Sequence, residues 1–196
     1  VGLLDPINPL GEIAVDVLVC GPSATGHCPP GNVLRTAGRP PFTVVLDRED
    51  DVCFTRTPLA AHDVMAGRVV VHPTVGGSGR LLWHDVLHAV ADGRPPRAPA
   101  RPTRGDTPEQ ERAVRTALEA AAVRQMTVLR AHRIGWAWWA ELINLHRTTR
   151  TDVIVVHHDA LPPDLTHLLR HCDHRLITNH AGLRALHPPA GAASGH

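Results

Sequence analysis

The chain has 196 residues, enough for one domain with a substantial core. Charged residues make up 20% and the formal net charge is +1, so no global field draws the chain to nucleic acid or to an anionic surface. All 20 basic residues are arginine, which excludes Schiff-base chemistry and lysine-assisted phosphoryl transfer unless another chain supplies the amine.

The cysteines, Cys20, Cys28, Cys53 and Cys172, are too few and too irregular for a disulfide framework, and Cys172 falls on an apolar helical stripe. No apolar run reaches the roughly 18 residues of a membrane span, and no signal-like segment opens the sequence. The expectation is a cytoplasmic protein without a membrane partner.

Residues 13–20 (IAVDVLVC) read as a buried strand that runs into Gly21-Pro-Ser-Ala-Thr-Gly26. Residues 42–56 read as two strands around an acidic turn, and 58–66 as a short helix. A strand over 68–72 (RVVVH) leads through a Gly-rich loop, 76–79, into a helix over 80–91 with Leu82, Val86 and Val90 on one face. Residues 93–106 hold four prolines and four arginines and read as an extended basic loop. Thr107-Pro108-Glu109-Gln110 opens the next helix as a capping box, with Val114, Ala117, Leu118 and Ala121 inward. Then come a strand over 126–130, a Trp-rich helix near 135–147 with Trp138, Leu142 and Leu145 inward, and a strand over 152–157. Pro162-Pro163 begins a helix with Leu165, Leu168, Leu169 and Cys172 inward. A strand over 175–178 and a helix over 180–186 follow, and 188–196 reads as a disordered tail. Strands alternating with helices predict one α/β domain over 1–187, a mostly parallel sheet sandwiched by helices.

In such sheets ligands bind beyond the carboxyl ends of the strands. Those ends carry His72; Arg130, His132 and Arg133; His157, His158 and Asp159; and Thr178, Asn179 and His180. Histidine and arginine therefore gather at one edge. Beside them, Gly77, Ser78, Gly79 and Arg80 form a candidate anion cradle at a helix start. Arginine offers forked donors that fit phosphate oxygens.

From about residue 14 to 180 the pattern of elements resembles a P-loop ATPase of the AAA type, in particular the small ATPases of transposition and secretion. Gly21, Ser23, Thr25 and Gly26 stand in the phosphate-loop frame, RVVVH followed by RLLWHDVLHAV resembles the second strand and its helix, and TVLRAHRI stands at the Walker B strand. The resemblance implies a P-loop-like three-layer fold. It places His27 at the phosphate-loop Lys position, Cys28 at the magnesium-holding hydroxyl, and Arg130 and Ala131 at the Walker B acids; Pro29-Pro30 disrupts the helix that normally follows. What it then implies is a catalytically impaired pseudo-ATPase. Such a protein binds ATP or another phosphate-bearing ligand weakly and without magnesium, or serves as a regulatory partner of another protein in a DNA-mobility assembly. In a second register, 74–81 (TVGGSGRL) is the phosphate loop, with Arg80 for Lys.

Other constellations have plainer readings beside the chemical ones. His84 and His88, and His167, His171 and His174, have zinc-ligand spacing but are ordinarily solvated, and no metal ligand set is assigned. Asp47, Glu49, Asp50 and Asp51 could hold a divalent cation, yet fit a charged hairpin turn better. Trp136, Trp138 and Trp139 cannot all face one core, so one should be exposed and mark a partner contact. Arg94, Arg97, Arg101 and Arg104 could touch DNA phosphates. Two further function classes therefore stand beside the first: a metal-dependent enzyme using the histidines of the sheet edge, and a non-catalytic interaction module.

Overall fold

The computed structural model describes residues 40–74, 80–93 and 107–188. The strand expected at 13–20, the loop at 21–28, the glycine loop at 76–79, the basic arginines of 93–106 and the tail beyond 188 lie outside these residues.

Five strands form one parallel sheet: β1 (Phe42–Asp47), β2 (Arg68–Val71), β3 (Gln125–Val128), β4 (Asp152–His158) and β5 (His174–Ile177), in the order β2-β3-β4-β1-β5. Between and after them run α1 (Val52–Ala60), α2 (Arg80–Asp92), α3 (Thr107–Ala120), α4 (Trp136–Thr148), α5 (Pro163–Leu169) and α6 (His180–Leu186). The expected α/β sandwich around a parallel sheet is the observed architecture.

Strand side chains alternate between two cores, because successive residues of a strand point to opposite faces. Phe42, Val44 and Leu46 of β1, with Val69, Val71, Met126, Val128, Val153 and Val155, meet the buried faces of α2, α3, α4 and α5. The intervening Val45, Val70, Ile154 and Val156 meet Phe54 of α1 and Leu183 of α6. Helices therefore cover both faces: four on one side, α1 and α6 on the other.

One expected element is corrected. The second strand of 42–56 is the helix α1. Val52-Cys53-Phe54 looks β-rich, but the Asp51 carboxylate accepts the Cys53 N–H at 2.8 Å and caps a helix start. Phe54 and Pro58, one turn apart, are its buried pair, while Val52 is exposed. The acidic stretch is thus a strand-to-helix turn, not a hairpin. The Trp-rich helix turns Leu142 and Leu145 inward as expected, with Trp138 half-buried against the core. Trp139 is fully buried, its ring against Phe42 and His157 and its indole N–H donating to the Ala131 carbonyl at 3.2 Å. Trp138 lies edge-on to Trp83, and Trp136 is 62% exposed.

The chain closes with a buried polar contact. Nε2 of His187, just past α6, stands 3.0 Å from Oγ1 of Thr127 in β3. Burial, with Arg68 adding to it, lowers the His187 pKa to about 4. Burial likewise lowers His62 and His72.

Two predictions follow from this packing. Trp139→Ala should cost about 3–5 kcal/mol in urea unfolding, and Trp136→Ala less than about 0.5 kcal/mol. The pH dependence has a definite sign, because the folded state keeps these rings neutral where the unfolded chain takes up protons. Stability should be full above about pH 6.5 and fall as the pH drops towards 4. His187→Gln should show a smaller loss of urea midpoint between pH 7 and pH 5 than the wild type.

Candidate functional site

β1 and β4 are neighbours, yet their outgoing connections diverge. β1 feeds α1 on one face of the sheet, and β4 feeds α5 on the other. This divergence opens a crevice at the carboxyl ends, the usual ligand position in open parallel sheets. The register pairs Asp47 with His158 directly across it.

Asp47 is 2% exposed and His158 7% exposed. Nδ1 of His158 stands 2.9 Å from Oδ2 of Asp47 and 3.0 Å from Oδ1 of Asp50. These contacts are close but off the line a hydrogen bond needs. Asp47 Oδ2 and both His158 nitrogens therefore lack hydrogen-bond partners despite their burial. Among the described residues, Asp47, Asp50 and His158 form the one group of three metal-ligating side chains whose donor atoms converge, all within 4.8 Å. Buried polar atoms without partners are costly, and a cation shared by one oxygen of each carboxylate and one nitrogen of His158 would offset part of that cost.

The loops are bent to build this arrangement. Oδ1 of Asp47 accepts the Asp51 N–H at 3.0 Å, curling the chain so that Asp50 returns over the strand end. Asp159 donates its N–H to the Asp47 carbonyl at 3.0 Å, tying the two strand ends together. Asp50, Arg130 and Asp159 have φ of 50°, 50° and 76°, the left-handed region that side chains avoid. Three of the four non-glycine residues described with positive φ thus sit at this edge, where such strain is typical of functional loops.

Of the sequence-predicted residues, the structure gathers His132 and His157 here: the His132 ring lies 5.1 Å from that of His158 and 6.1 Å from that of His157. Burial lowers the pKa of His132 and His157, and the neighbouring His158 adds to both effects. Nδ1 of His157 faces the Asp159 carbonyl at 3.3 Å; a carbonyl only accepts, so Nδ1 carries the proton and Nε2 the lone pair. Burial also lowers His72, with Arg130 and Arg133 close enough to add to it. Beyond Asp47, towards β5, a cleft of about 310 Å³ is lined by Asp47, Glu49, Asp51, Phe54, Asn179 and His180. Asn179 caps α6 through the Gly182 N–H, and His180 meets Thr57, so neither belongs to the triad.

Gly21, Ser23, Thr25, Gly26, His27, Gly77, Ser78 and Gly79 lie outside the described residues, and Arg80 is described only as the first residue of α2. The turn leaving β1, 48–51, contains no glycine and holds three carboxylates. The helical histidines divide. His84 is buried rather than solvated, while His167 and His171 are exposed. Among the described residues no further ligand joins His84 and His88 closely enough to form a metal set. A larger cavity, about 590 Å³, lies at the amino ends of β3 and β4, lined by Thr148–Thr151 and Arg124, away from the edge that carries the histidines.

Sequence reasoning named Asp47 and Asp50 but assigned them to a hairpin, and it did not join them to His158. The signal lay in Asp51: an N-cap there turns the acidic run into the mouth of a crevice. The strain can be tested apart from the chemistry. Asp159→Gly should raise stability by up to about 1 kcal/mol, and Asp159→Val should lower it, both read as urea midpoints. A scan against protein-family models finds no match to this chain, and a search of curated proteins finds no similar sequence.

Proposed function

We propose that the protein is a divalent-metal-dependent hydrolase whose ion is held by Asp47, Asp50 and His158 at the β1/β4 crevice. One observation carries the reading: two carboxylates and an imidazole converge, with Asp47 Oδ2 and the His158 nitrogens buried and without hydrogen-bond partners, at the strand ends where the connections diverge. Mixed imidazole and carboxylate donors suit Zn²⁺, Mn²⁺ or Fe²⁺ better than Ca²⁺. Three protein ligands leave positions for water and substrate, as hydrolytic sites require. A bound ion supplies a polarised water at neutral pH. The chain supplies His157, whose Nε2 lone pair is set by the Asp159 carbonyl, and His132 packed edge-on to His158.

Zn²⁺ or Mn²⁺ should raise the unfolding midpoint, with a gain of about 2.7 kcal/mol at a hundredfold excess over Kd. Asp47→Asn keeps the acceptor for the Asp51 N–H and should abolish that gain. The reading is overturned if neither ion shifts the wild type, or if Asp47→Asn responds equally.

The strand order supports a second reading, since the three-layer parallel architecture is the one the P-loop resemblance implies. On that reading the chain is an impaired nucleotide-binding domain acting as a regulatory or structural partner. Its mark would be a thermal shift with ATP that is indifferent to Mg²⁺.

A further inference from the structure

We infer that the β2/β3 side of the crevice is a seat for a phosphoryl group, with Arg130 and Arg133, flanked by His72, holding phosphate oxygens beside the Asp47–Asp50–His158 triad. The inference deepens the metal reading and rests on it for one point only, that the phosphorus sits next to an ion. The seat itself stands on separate observations.

The first is position. β2 and β3 pair in register through Val71 and Val128, and the Leu129 N–H donates to the Val71 carbonyl at 2.8 Å. His72 therefore emerges next to the turn that carries Arg130. The second is an unmet donor. Nε of Arg130 is buried and has no hydrogen-bond partner. Its backbone is left-handed, with φ 50° and ψ 43°, a conformation unfavourable in a residue with a side chain. The third is charge. Among the described residues neither Arg130 nor Arg133 is in an ion pair. Asp47 and Asp50 are turned to His158, and Asp159 is turned to the Ala160 N–H. Two carboxylates balance one divalent ion, which leaves two guanidinium groups without counter-charge. Two positive charges on forked donors match a phosphate dianion in charge and geometry.

His132 bridges the two halves. Its ring is 5.1 Å from the His158 ring, and the charges of Arg130 and Arg133 reach it as well. A ligand oxygen at the triad and two more at the arginines would thus belong to one group.

The test titrates inorganic phosphate by calorimetry into the full chain, without metal and with Mn²⁺. Phosphate should bind in both states, and more tightly with Mn²⁺. Arg133→Gln, at an exposed site, and Arg130→Gln should each weaken phosphate about 10- to 100-fold, the loss of a charged hydrogen bond, with Mn²⁺ affinity unchanged. Asp47→Asn should remove the Mn²⁺-dependent gain and keep the arginine-dependent part. If Mn²⁺ binds but millimolar phosphate does not, or if both arginine variants bind phosphate as the wild type does, the seat is overturned and the metal reading stands. If phosphate binds through the arginines and no metal binds, the metal reading fails and the seat stands. AMP and phenyl phosphate identify the source: tighter AMP assigns a nucleotide, and equal affinity assigns a simple phosphomonoester.

Discussion

The structure depends on the parallel pairing of β1 with β4. That pairing places an interior strand between partners whose helices leave to opposite faces, and in doing so it makes both the two cores and the crevice. The register Thr43 to Ile154, Val44 to Val155 and Val45 to Val156 lines up alternating side chains, so both faces of the pair are buried and, apart from Thr43, apolar over this stretch. The same register ends on Asp47 and His158. Apolar packing thus fixes the geometry at which the Asp47 carboxylate and the His158 imidazole meet. A slip by one residue would turn every buried valine to the wrong face, so the approach is strongly specified.

This division of labour explains why the edge tolerates unfavourable features. Left-handed Asp50, Arg130 and Asp159, and buried polar atoms without partners, each cost free energy of order 1 kcal/mol or more. The cores beneath them, with Phe42, Trp83, Trp139 and Met126 fully buried, hold these positions in place. Stability lives in the two apolar layers, and chemistry is left to the loops at one end.

Much of the fold was legible in local sequence. The start of α3 at Thr107, the prolines before α5 and the apolar runs of β2 and β4 each announce themselves within a few residues. The helix α1 was not legible as such, because Val52-Cys53-Phe54 carries β-branched and aromatic residues while the deciding contact is one carboxylate on one N–H. Which tryptophan is buried also escaped the pattern, since Trp138 and Trp139 are adjacent and only the position of β1 beneath the helix chooses between them. The site was half legible. The gathering of His132 and His157 at the carboxyl edge followed from strand direction alone. The meeting of His158 with Asp47 and Asp50 required the strand order, and strand order is a property of distant pairings.

The interior position of β1 has a consequence for how the molecule forms. Both of its neighbours in the described sheet, β4 and β5, are made after it, past residue 150. Until then FTVVLD lacks both strands it pairs with among the described residues. Contacts of such long sequence separation form slowly and leave strand edges exposed in the meantime. The nascent chain therefore carries β1 without these neighbours until β4 is made, and the crevice comes into being only once β4 pairs with β1.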